Sequence, residues 1–197
     1  MTDADTLTAR QRWRADLGRY QSYASGYERR VSTCRLIFHN EQLLAIGIYR
    51  FGQYLNYEAS KPTRILLWIP YVIFLKLIHW TFGVHIFPET QIGPGLYVGH
   101  YGDIWVSPKA TLGANCNIGQ GVVIGVAGAD TKGGPVLGDR VWLGPKATVS
   151  GPVRIGSGAV VGANSLAVTN IPENGVAIGV PAKIISYSGS GKLIRVD

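Results

Sequence analysis

The residues best placed for chemistry stand where a repeat breaks. From position 86 an aliphatic anchor recurs every six residues: Ile86, Ile92 and Val98, then Val106, Leu112, Ile118 and Ile124, and again Leu137, Leu143, Val149, Ile155, Val161 and Ala167. The step from Val98 to Val106 is eight residues and holds Gly99-His100-Tyr101-Gly102-Asp103. An imidazole with a pKa of about 6.5 can take and return a proton at neutral pH, which suits His100 to acid–base work. The plainer reading is a histidine that fills a corner of the repeat. The step from Ile124 to Leu137 is thirteen residues, so 125–136, with Asp130 and Lys132, must leave the repeat as a loop. Departures of this kind from a regular framework are where function concentrates.

Other chemistries have weaker signals. Cys34 and Cys116 are the two cysteines of the chain and match no Cys/His spacing, so neither a disulfide framework nor a structural zinc site is supported. Cys116 stands at a small-residue position of the repeat and reads as a buried core thiol. A zinc enzyme needs three histidine ligands, and of the four histidines only His85 and His100 lie in or beside the repeat. No metal is expected.

A period of six held over some eighty residues is neither helical nor alternating; it is a hexapeptide β-helix signature. Glycine follows the anchor at 93, 99, 113, 119, 125, 138, 144, 156 and 162. A small or β-branched residue stands four places after the anchor at Ala110, Cys116, Val122, Val141, Ala147, Val153, Ala159 and Ser165. Each unit supplies one short strand and one corner, and three units close a triangular coil. Eighteen residues therefore advance the stack by one strand spacing, ~4.8 Å. Roughly five coils fit between Ile86 and Ile184 at that advance. The expected architecture is mainly β: an α-helical domain over 1–85, a parallel β-helix over 86–185 and a tail over 186–197.

Composition agrees with two architectures in one chain. Of 26 glycines, five precede position 86 and 21 follow it. No Gly-X-Y triplet persists, and a 46% hydrophobic content argues against disorder. Thr8 and Gln11 have capping-box spacing for a helix running to about Tyr23. Leu36, Leu43, Leu44, Ile48, Phe51 and Leu55 predict a helix over 36–57. Ser60 followed by Pro62 starts a third helix. Its Ile65 to Phe82 stretch is the most hydrophobic in the chain, interrupted by Pro70, Lys76 and His79. It reads first as a core or subunit-interface helix, second as a helix on a membrane surface with Lys76 snorkelling, and last as a span. The net charge of +7 comes without a basic run; Arg10, Arg12, Arg14 and Arg19 recur as on a solvated helix face, and nucleic acid is disfavoured. The polar N-terminus lacks the apolar core of a secretory signal. The expected compartment is the cytoplasm, at the inner face of the cell membrane if the surface reading holds.

Three passages carry a family resemblance: Tyr49-Arg50-Phe51-Gly52-Gln53-Tyr54-Leu55, Ile92-Gly93-Pro94-Gly95-Leu96-Tyr97-Val98-Gly99-His100 and Gly179-Val180-Pro181-Ala182-Lys183-Ile184. With the repeat, they make the chain resemble the hexapeptide acyltransferases, within them the serine-acetyltransferase-like group. The resemblance implies a left-handed parallel β-helix that assembles as a homotrimer or a dimer of trimers. It implies acetyl-CoA as co-substrate and direct transfer of the acetyl group to a hydroxyl in a cleft between subunits, with His100 as general base. By position it points to Gly125, Lys132, Gly144, Ala163, Thr169 and Lys183 as donor contacts.

The same resemblance exposes departures. The serine enzymes carry Asp immediately before the catalytic histidine, where this chain has Gly99. They carry a second histidine ahead of the proline that ends the loop, where this chain has Gly134. Their carboxylate partner of the base lies fifteen positions upstream, where this chain has His85. Loss of partners for a serine ammonium weakens the case for serine. For orienting His100, Asp103, Glu89 and a backbone carbonyl stay open, Asp103 first; Gly99, Tyr101 and His85 are the expected acceptor contacts. The expected activity is O-acetylation of a sugar hydroxyl in polysaccharide or glycan biosynthesis, as in similar acetyltransferases of the colanic-acid type. A nucleotide-linked, lipid-linked or polymeric glycan is the expected carbohydrate acceptor, and serine O-acetylation for cysteine biosynthesis is the alternative.

Overall fold

The structure, a computed structural model, describes residues 6–25, 32–126, 128 and 133–195. Helix α1 (Ala9–Ser25) opens with the expected capping box. The Thr8 N–H donates to Gln11 Oε1 at 2.8 Å and the Gln11 N–H returns a bond to Thr8 Oγ1 at 3.2 Å. The single helix expected over 36–57 is two, α2 (Thr33–Phe38) and α3 (Glu41–Tyr57). The break comes at His39 and Asn40, where the Asn40 side-chain amide donates to the Leu36 carbonyl at 2.7 Å and satisfies a helix end. Helix α4 (Lys61–Phe82) starts at Ser60 as expected and stops at Gly83, whose φ of 60° is the left-handed C-terminal cap.

The rest is a three-faced coil of parallel strands. One face stacks β1 (Val84–Ile86), β4 (Ile104–Val106), β7 (Val123–Gly125), β10 (Thr148–Ser150) and β13 (Leu166–Ala167). The second stacks β2 (Gln91–Ile92), β5 (Thr111–Leu112), β8 (Val136–Leu137) and β11 (Arg154–Ile155). The third stacks β3 (Tyr97–Val98), β6 (Asn117–Ile118), β9 (Trp142–Leu143), β12 (Val160–Val161) and β14 (Val176–Ile178), ending on the antiparallel β15 (Lys183–Ser186). The β-helix with a helical front end expected from the sequence is thus the observed fold, its first strand two residues earlier than expected. All thirteen anchors from Ile86 to Ala167 are buried in its core. At about 1.5–3 kcal/mol for each fully buried large aliphatic side chain, this column is the main stabilising term.

The helical front end closes the open end of the coil. Arg50 donates to the Ile92 and Gly93 carbonyls at 2.8 and 2.7 Å, and its Nε to Asp16 at 2.8 Å. Asp16 in turn accepts from the Leu96 N–H at 2.7 Å. The Tyr20 hydroxyl donates to the Val98 carbonyl at 2.8 Å, and Tyr49 does the same to Thr90. Arg19 is not on a solvated face: it is buried and donates to the Gly95 carbonyl and Asn117 at 2.8 and 2.7 Å. The first coil would otherwise show a raw strand edge, and these side chains cover it. Helix α4 departs furthest from expectation, because it is not a core helix of this chain: within it only Tyr71 and Ile78 are buried.

Candidate active site

The register of the third face shows what the eight-residue step adds. Val98 lies opposite Ile118, and Trp105 opposite Val123. Between them the Gly99 N–H donates to the Ile118 carbonyl at 2.9 Å and the Gly121 N–H to the Gly102 carbonyl at 2.8 Å. Gly99 and Gly102 therefore have counterparts one coil on, and His100 and Tyr101 have none. These two are the inserted residues, and both are exposed.

The junction of α4 with β1 pins this bulge. The Gly102 N–H donates to the Phe82 carbonyl at 2.9 Å and the Ile104 N–H to the Gly83 carbonyl at 2.8 Å. The Tyr101 ring rests on Phe82 with centroids 5.7 Å apart. Tyr101 is drawn back onto the helix and His100 is left at the tip. Phe82 and Gly83 thus position the site. The sequence pattern did not single out Gly83.

His100 stands on a corner ridge shared with two of the expected donor contacts. Lys146 donates its N–H to the Gln120 carbonyl at 2.7 Å, Gly144 to Val161 at 2.9 Å and Asn164 to Pro145 at 2.9 Å, which stacks the corner coil by coil. Gly144 and Ala163 lie on that ridge. A Cβ at Gly144 would meet the Ala163 nitrogen at 2.6 Å, so the close approach requires glycine. Lys146, exposed on the same ridge with φ 59°, is a cation the sequence did not single out. Gly125 and Thr169 lie on a different corner, where the loop leaves the coil; there the Gly151 N–H donates to the Gly125 carbonyl at 3.0 Å. Lys183 is on β15, and Lys132 lies outside the described residues. Four of the six expected donor contacts therefore stand in two pairs on two corners, and Lys183 lies on neither.

Asp103 and His85 take other places than expected. Asp103 has φ 53°, a left-handed corner that aspartate tolerates well, and occupies the position of Gly121 one coil on. Its charge acts on His85, favouring the protonated imidazole there, while burial, the larger effect, pulls the His85 pKa down. Among the described residues no hydrogen bond or ion pair joins Asp103 to His100. His85 sits between His79 and Trp105, with ring centroids 4.5 and 5.1 Å away. Burial, and the His85 imidazole next to it, push the His79 pKa down to about 4. Glu89 is bonded by the Asn56 amide at 3.4 Å.

The two departing glycines are physically different. A Cβ at Gly134 would lie 2.6 Å from the Lys109 carbonyl carbon and closer still to its oxygen, so this backbone excludes any side chain. A Cβ at Gly99 would find its nearest atoms at 3.9 Å. The fold demands glycine at 134 and does not at 99.

Comparison with known proteins agrees with this architecture. Residues 134–166 match the family described as bacterial transferase hexapeptide (six repeats). The serine acetyltransferase of Synechococcus elongatus is 28% identical over 171 residues, 83% of this chain and 68% of that protein. The serine acetyltransferase of Staphylococcus aureus is 32% identical over 108 residues, 54% of this chain; the match spans about half, 51%, of its own length. Among solved structures, Neisseria gonorrhoeae serine acetyltransferase in complex with serine superimposes with a TM-score of 0.73 at 27% identity, over 90% of this chain and 69% of that one. A serine acetyltransferase in complex with CoA gives 0.73 at 25% identity, over 92% of this chain and 71% of that one.

Proposed function

We propose that this chain, a hexapeptide-repeat acyltransferase similar to the serine acetyltransferases, moves an acetyl group from acetyl-CoA to the hydroxyl of a small acceptor, with His100 as general base. The observation that carries the reading is the placement of His100: an inserted, exposed imidazole at the head of the ridge that runs through Gly144 and Ala163. The acceptor oxygen attacks the thioester carbonyl as the Nε2 or Nδ1 of neutral His100 takes its proton. The C–S bond then breaks, and the imidazolium returns the proton to the departing CoA sulfur. Positioning of two bound substrates supplies much of the rate, and no covalent enzyme intermediate is needed. The donor contacts on two corners fit a cleft completed by a second copy: one copy presents the His100 ridge, and its neighbour presents the corner with Gly125 and Thr169. In such an assembly the group that orients His100 comes from the neighbour.

Serine is the acceptor that the named relatives favour, and the polysaccharide acceptor expected from the sequence has no support from them. The backbone at Gly134 admits no side chain, so the second histidine of the serine enzymes has no counterpart at that position. One observation keeps a sugar hydroxyl as the second reading: Gly99 leaves room beside His100 for a side chain that the fold would accept, and places no group there to hold an ammonium. CoA release measured with L-serine and with nucleotide sugars separates the two. Turnover with serine supports the first, turnover with sugars alone the second, and no turnover with any hydroxyl acceptor overturns both.

A further inference from the structure

Helix α4 is apolar on the wrong side for a soluble chain. Its buried residues, Tyr71 and Ile78, are two turns apart on one face. The opposite face carries Ile69, Ile73, Lys76 and Trp80 at helical spacing, all exposed, Trp80 at 79%. Ile65, Leu66, Phe74 and Leu77 widen the stripe. Over its most apolar 18 residues the mean hydropathy is 1.7, and 11% of that stretch is buried.

We propose that this outer face of α4 seats the protein on the surface of a bilayer that carries anionic lipid headgroups. Charge decides between the occupants. Helix α4 holds Lys61, Arg64, Lys76 and no acidic residue. Packed on a second copy of itself, the face would bury Lys76 against an apolar stripe, and each helix would bring only like charge to the other. At a bilayer surface the same lysine stem lies along the acyl boundary while its ammonium reaches the headgroup phosphates. Trp68 and Trp80, both exposed, are the amphipathic rings that favour that boundary. A span is disfavoured by packing, since Tyr71 and Ile78 hold α4 against the rest of the chain and crossing would pull them away. Because Phe82 and Gly83 pin the His100 bulge, seating α4 also brings the candidate active site to the surface.

The full chain is tested by co-sedimentation with phosphatidylcholine vesicles, alone and mixed with phosphatidylglycerol. Wild type is expected to pellet with the mixed vesicles and to be released by salt. Ile69→Glu with Ile73→Glu should lower partitioning about tenfold or more, and Lys76→Glu should lower it several-fold, with CoA release and native mass unchanged. Failure of wild type to bind the mixed vesicles overturns the proposal, as does undiminished binding in both variants. A change of native mass in the isoleucine variant assigns the face to a second copy instead and overturns it too.

Discussion

The Arg50 Nε donates to Asp16 at 2.8 Å with both side chains out of water, and this pair, beside Arg19, Tyr20 and Tyr49, fastens α1 and α3 to the open end of the coil. Removing one partner strands the other as a buried charge. Arg50→Ala should therefore cost about 3–5 kcal/mol, read as a fall in the urea midpoint. Replacing both by apolar residues of similar volume should stay destabilising, because the Ile92 and Gly93 carbonyls and the Leu96 N–H lose their partners. A double substitution without cost would show that those backbone groups find other partners.

The contrast between the two glycines gives a second expectation. Gly134→Ala drives a Cβ into the Lys109 carbonyl and should destabilise by about 1–3 kcal/mol. Gly99→Asp meets open space and should leave the thermal midpoint nearly unchanged. If serine is the acceptor, the new carboxylate should lower its KM by pairing with the ammonium. A stable Gly134→Ala would show that the loop base yields.

The histidine pair at the end of α4 makes stability depend on pH. His79 keeps its proton off in the folded chain until about pH 4, whereas the unfolded chain takes it up near its ordinary value of 6.5. Between these values the unfolded state binds more protons, so stability is complete above pH 6.5 and drains as pH falls toward 4. For this half-buried ring the loss is about 1–2 kcal/mol once solvent screening is allowed for. His79→Phe should flatten that limb of a stability–pH curve measured by denaturant melts. An unchanged slope would place the transition on other groups.

The two thiols should react very differently. Cys34 is exposed, while Cys116 is buried in the coil and burial pushes its pKa up to about 12. A disulfide reagent added to the native protein should label one thiol per chain, and that labelling should disappear in Cys34→Ser. Rapid labelling of both would mean that the coil opens.

The coil was legible because its rule is short: one interior residue in six, with small residues and glycine where faces meet. Each anchor from Ile86 to Ala167 could be placed before any coordinates, and so could the bulge at His100. The helical front end was legible as helices but not as a lid. Arg19, Arg50 and Asp16 look like ordinary surface charges in sequence, and only the coil's unpaired backbone groups explain why they are buried. Asp103 was placed beside His100 by sequence position alone; a left-handed corner also accounts for an aspartate there, and within one chain its charge acts on His85. The two-corner split of the donor contacts arises from stacking order, which a six-residue pattern does not reveal.

Acetyl-CoA turnover by His100→Ala tests the central claim most directly. CoA release with the best hydroxyl acceptor should fall about 10²–10⁴-fold, while circular dichroism and the thermal midpoint stay at wild-type values, because His100 is exposed. Turnover within a few-fold of wild type in that well-folded variant would contradict the assignment of His100 as the base.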